Sequence, residues 1–225
     1  LDQFDLARAA VHEARAAQTY SKLQQKAFSM MDSVKIRDAL DVRKEPAHVR
    51  DRYGRHLYGQ SVLLGRRLLE AGARFVTVQW ECPDGYSWDS HMNSKDVGQH
   101  LIPGLDQTLS ALLLDLEDRG LLDETLVVVM SEMGRTPRIN GNGGRDHWTY
   151  CYGMWFAGAG IRGGTVVGES DNQAAYVKDR PVSPADICAT IYEILGIDPD
   201  LMVPDRSGRP VPASQGGRPI RELLA

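Results

Sequence analysis

In Gly120-Leu121-Leu122-Asp123-Glu124-Thr125-Leu126-Val127-Val128-Val129-Met130-Ser131-Glu132 a glycine, a short acidic turn, an apolar run and a polar pair follow one another. Residues 126–130 are continuously apolar with a valine triplet, the composition of a strand covered on both faces of a parallel sheet. Upstream, Leu105, Leu109, Leu112, Leu113 and Leu116 stand at i, i+4, i+7, i+8 and i+11, which predicts an amphipathic helix stopped by Gly120. Further upstream, residues 74–80 alternate, with Phe75, Thr77 and Gln79 on one side and Val76, Val78 and Trp80 on the other, the period of a strand. Strand, crossover helix and strand predict a βαβ unit, hence an α/β fold around a mainly parallel sheet.

The flanks extend this plan. Ser183 as N-cap, Pro184 at the first helical position and Asp186 in the first turn predict a helix carrying Ile187, Ile191, Ile194 and Leu195, closed by Gly196. Between the two halves lies a Gly-, Asn- and Arg-rich loop, residues 132–148, followed by strand material at 151–157 and near 165–167. On the N-terminal side, residues 46–69 read as one helix, with Leu57, Leu64 and Leu68 on one face and Gly72 as its stop. Residues 1–45 read as a helical arm, and 46–225 as the α/β domain.

Composition narrows the classes. With 42% hydrophobic residues, 25% charged residues and a formal net charge of -4, the 225-residue chain suits a packed core better than disorder or general nucleic-acid binding. The charge is uneven: the first 60 residues carry 11 Lys and Arg against 8 Asp and Glu, so the excess of acid lies in the remainder. No apolar run approaches the roughly 18 residues of a membrane span. Cys82, Cys151 and Cys188 are too few and too far apart for a disulfide scaffold or a CxxC zinc site, and Cys188 is expected to face the core. His56 reads as a structural residue, and His12 and His100 as surface histidines.

In an open parallel sheet, ligands gather beyond the carboxyl ends of the strands. Three polar clusters follow such ends: Trp88-Asp89-Ser90-His91-Met92-Asn93, Ser131-Glu132-Met133-Gly134-Arg135-Thr136-Pro137 and Gly144-Arg145-Asp146-His147-Trp148. Carboxylates and imidazoles converging on one rim suit zinc, manganese or another borderline divalent ion, whereas calcium and magnesium prefer oxygen alone. This reading assembles Asp89, His91, Glu132, Asp146 and His147 at one rim of the sheet. Arg135 and Arg145 are expected substrate contacts, since a guanidinium there either neutralises the acids or clamps a tetrahedral oxyanion, and Asp146 beside them is grouped with the substrate contacts.

These clusters, with Arg52-Tyr53-Gly54-Arg55-His56, the 120–129 stretch, Lys178-Asp179-Arg180-Pro181-Val182 and the Ser183 helix in the same order, resemble the C-terminal half of the bacterial domain-of-unknown-function 1501 proteins. That family is sulfatase-like, within the alkaline phosphatase superfamily. The resemblance implies an alkaline phosphatase/sulfatase-like sandwich, incomplete in this chain, and a metal-dependent hydrolase of phosphate or sulfate esters acting on a small ester or a sulfated or phosphorylated glycan. It also implies export to the periplasm or beyond. The superfamily's nucleophile and first metal-binding acid come from the N-terminal half, so no catalytic nucleophile is expected here. By motif the resemblance implies Asp89, His91, Glu132 and His147 as the expected metal ligands. Sulfatases and phosphatases usually have an Asp-His pair where this chain has Glu132-Met133, which leaves open a non-catalytic binding or scaffold protein on a degenerate hydrolase fold.

Overall fold

A computed structural model describes residues 19–26, 28–29, 33–80 and 86–225. About half of the predicted helical arm, including residues 1–18 with His12 among them, therefore lies outside the described residues, as does Cys82. The described residues form two compact units, one reaching Trp80 and one starting beyond it.

In the first unit, residues 19–26 are helical, and α1 spans Val34–Leu40 with Ser33 accepting from the backbone N–H of Ile36 as N-cap. A 3₁₀ turn at Val42–Lys44 leads through Pro46 into α2, Ala47–Tyr53, and then α3, Leu57–Glu70. The single helix expected over 46–69 is thus two. The chain breaks at Gly54, whose φ of 90° lies outside any helical region, and His56 restarts it by accepting from the N–H of Gly59 at 3.2 Å through Nδ1. His56 is structural, as its position suggested.

The inward face of α3 is not the predicted leucine stripe. Leu57 is exposed, while Gly59, Val62, Leu63, Gly65 and Arg66 are buried. Arg66 is held between Glu45 at 3.1 Å and Glu70 at 2.6 Å, and Arg67 pairs with Glu45 while its Nε donates to the carbonyl of Ala39 at 2.8 Å. Burial pushes the Glu45 carboxyl up, but the hydrogen bonds and charges of Arg66 and then Arg67 outweigh it and hold the group below its ordinary value. Residues 75–80 keep the predicted alternation, since Val76 and Val78 lie against Gly65 and Trp80 stacks on Tyr58 with centroids 4.0 Å apart. They enter no ladder among the described residues; their period of two comes from packing one face on α3.

The second unit is built on α4, Ile102–Asp118, and α5, Pro184–Ile194. The predicted α4 stripe turns inward, with Leu109 and Leu116 buried. The capping box of α5 is complete: Ser183 accepts from the Asp186 N–H at 3.1 Å, and the Asp186 carboxylate accepts from the Ser183 N–H at 2.9 Å. Cys188 is exposed rather than core-facing, because Ile187, Ala189 and Thr190 occupy the inward positions of that helix.

Among the described residues, eight short strands pair in four antiparallel ribbons. β1, Val127–Val129, pairs with β4, Trp155–Ala157; β2, Gly134–Arg135, pairs with β3, His147–Trp148. β5, Glu169–Ser170, pairs with β6, Val177–Asp179, and β7, Met202–Pro204, with β8, Pro210–Pro212. Among the described residues the valine run finds this antiparallel partner and no parallel one. Residues 165–167 are not in a strand. No helix among the described residues is long and apolar enough to cross a membrane.

Candidate metal centre

The β2–β3 ribbon and the loop at 86–94 carry the site. Directly paired residues of a ribbon project to one side, so the pairing of Arg135 with His147 places both on one face, while the pair Gly134 and Trp148 belongs to the other. Trp148 anchors that second face by donating Nε1–H to the carbonyl of Ala175 at 2.6 Å. Asp89 and His91 arrive from a tightly folded segment in which Ser87 Oγ accepts from the Asp89 N–H and the Asp89 carbonyl accepts from the His91 N–H.

A glycine loop fastens the two pieces together. Arg145 N–H donates to the Ser90 carbonyl at 2.9 Å, and Met92 and Gly143 form an antiparallel bridge. Gly144 passes so close that a Cβ there would lie 2.1 Å from the carbonyl carbon and oxygen of His91. No side chain fits in that space, so a glycine at 144 is what brings the two loops into register.

The donor atoms form a triangle. Asp89 Oδ1 lies 2.8 Å from His147 Nε2 and 3.2 Å from His91 Nε2, and the two imidazole nitrogens are 3.1 Å apart. Bonds of about 2.0–2.1 Å to one ion would separate adjacent ligands by about 2.9–3.4 Å. The triangle is thus close to one face of a zinc or manganese polyhedron, and its ligand types fit. Each of the three side chains is about half exposed, at 45–57%, so the remaining positions face open space. Three donors with an open side would leave coordination positions for water or another ligand on an ion held there.

Arg135 Nη2 also donates to Asp89 Oδ1, at 2.6 Å. The hydrogen bond from His147 and then that from Arg135 hold the Asp89 carboxyl at about 2, so it is ionised at neutral pH. Asp146 is likewise held below its ordinary value, by His91 first and Asn140 second. Its Oδ1 is 3.0 Å from His91 Nδ1, the nitrogen opposite the triangle.

Of the residues read from sequence, the structure brings together Asp89, His91 and His147, with Arg135 and Asp146 touching them. Glu132 is exposed, accepts from Ser131 Oγ at 3.3 Å, and is not in the converging group. Arg145 donates from Nη1 to the carbonyls of Thr136 and Pro137, each at 2.6 Å, which makes it a brace for its own loop. Asn140 went unread, although it contacts both the His91 carbonyl and Asp146.

Residues 2–224 match the DUF1501 family, described as protein of unknown function. The chain belongs to that family. The match of this DUF1501 member runs through both compact units, so the Asp89 loop and the Arg66–Glu45 cluster lie within one family region. No curated protein and no solved structure matches it.

Proposed function

We propose that the DUF1501 chain carries a divalent-metal site, for zinc or manganese, that serves the hydrolysis of phosphate or sulfate esters. The observation that supports this most is the triangle of Asp89 Oδ1, His91 Nε2 and His147 Nε2, with edges of 2.8–3.2 Å and an open side. When bound, such an ion supplies Lewis-acid stabilisation of negative charge on an ester oxygen. Asp89, His91 and His147 hold the ion and fix its position. Arg135, already paired with Asp89, has further N–H groups with which to bind a non-bridging phosphate or sulfate oxygen. Glu132 and Arg145 take no direct part, and the nucleophile is assigned to no residue described. With this reading go the sandwich around a mainly parallel sheet, an exported location, and a small ester or an anionic glycan as substrate.

A second reading rests on the same contact. At 2.6 Å, Arg135 already neutralises Asp89, as a cation would, which suits a binding protein on a degenerate hydrolase fold. The two are separated by turnover of an aryl phosphate and an aryl sulfate with and without added zinc or manganese. Hydrolysis that rises with metal and disappears in Asp89→Ala supports the enzyme. Metal bound without turnover in either ester refutes it in favour of the scaffold.

A further inference from the structure

We propose that Asp146 and Asn140 are positioning residues that fix His91 in one tautomer and orientation, with Nδ1–H donated to Asp146 and the Nε2 lone pair aimed into the donor triangle. An ionised carboxylate only accepts hydrogen bonds, so the 3.0 Å contact from Asp146 Oδ1 to His91 Nδ1 requires the proton on Nδ1. The neutral ring then has no proton on Nε2. That bare nitrogen sits 3.2 Å from Asp89 Oδ1 and 3.1 Å from His147 Nε2, a juxtaposition of electron pairs that needs a proton or a cation among them. His147 supplies the proton in the metal-free chain, through its 2.8 Å bond to Asp89.

Asn140 holds this arrangement from behind. Its Nδ2 donates to the His91 carbonyl at 3.0 Å and to Asp146 Oδ1 at 3.2 Å, while its Oδ1 accepts from the N–H groups of Asn142 and Gly144, both at 3.0 Å. Both amide protons and both lone pairs are used, and the opposite amide orientation would set N–H against N–H. One side chain thus locks the backbone of a metal ligand, the carboxylate that sets its tautomer, and the glycine loop. Carboxylate, imidazole and ion in series are a recurring way to orient a ligand and raise its basicity.

The consequence for metal affinity rests on the metal reading above, whereas the tautomer is a property of the metal-free chain. Long-range ¹H–¹⁵N spectra of the chelated protein, recorded above the histidine titration, are expected to show His91 protonated at Nδ1. Asp146→Ala, at an exposed side chain, is expected to move it to a mixture or to the Nε2–H form and to weaken zinc binding about 10- to 100-fold. Asp146→Asn, whose Oδ1 can still accept both bonds, restores the Nδ1–H form and most of the affinity. Asn140→Ala weakens zinc binding by at least about tenfold. An unchanged tautomer in Asp146→Ala overturns the proposal, as does zinc affinity within threefold of wild type in both Asp146→Ala and Asn140→Ala. A tautomer shift in Asp146→Ala with no zinc bound by the wild type upholds the positioning and refutes the metal reading.

Discussion

Replacing Gly144 by alanine tests whether the close passage of two loops sets the donor triangle. The new Cβ would meet the carbonyl carbon and oxygen of His91 at 2.1 Å and the Met92 nitrogen at 2.4 Å, all backbone atoms that cannot rotate away. Ordinary contact begins at 3.4 Å, so the loops must part by about 1.3 Å. Overpacking of this kind costs about 1–3 kcal/mol, which is about 5- to 150-fold if it appears as lost metal affinity. Gly144 has no left-handed φ, so the penalty is steric and not conformational. Gly141, in the same loop, has open space where its Cβ would lie and no left-handed φ, so Gly141→Ala is the matched control. Calorimetric zinc titration and thermal unfolding of the two variants provide the assay. Wild-type affinity together with a Tm equal to that of Gly141→Ala would refute the packing argument.

Arg66→Ala removes a fully buried guanidinium from between Glu45 and Glu70 and is expected to cost about 3 kcal/mol, moderated by Arg67; urea unfolding within about 0.5 kcal/mol of wild type would count against it. Ser183→Ala removes half of the capping box on α5 and should lower stability by about 1 kcal/mol, read from the same experiment. The hydrogen bonds of Arg180 hold the Glu222 carboxyl down at about 2 from an ordinary 4.5. The contribution of this pair to stability is therefore complete above about pH 4.5 and lost as pH falls through about 2. Carboxyl ¹³C titration should show Glu222 rising toward its ordinary value in Arg180→Ala, with its own backbone N–H still holding it somewhat down, and a wild-type midpoint near 4.5 would contradict the contact.

The sequence made some elements legible for physical reasons. A long leucine stripe with a glycine stop and a complete capping box are local signals, and α4 and α5 form where those signals lie. α3 was read less well because its inward face uses Gly59, Gly65 and Arg66, residue types that hydrophobic periodicity does not count. Residues 75–80 show why alternation alone underdetermines pairing: one half-buried face against a helix produces the same period as a ladder. At the site, residue chemistry pointed to Asp89, His91 and His147. It also pointed to Glu132 and Arg145, whose exposure and backbone bracing depend on three-dimensional placement. Asn140 had a sequence signal, an Asn-Gly-Asn-Gly-Gly turn, but its hydrogen bonds reach 49 residues back to His91 and no spacing rule spans that distance.

The most direct test of the metal reading is the ion content of the chain after equilibration with zinc, manganese, magnesium and calcium together, followed by desalting, beside His147→Ala. The donor set predicts that zinc or manganese is retained stoichiometrically by the wild type and lost from the variant. No retained ion in the wild type, or equal retention in His147→Ala, would contradict the assignment of the Asp89, His91 and His147 triangle as a metal centre.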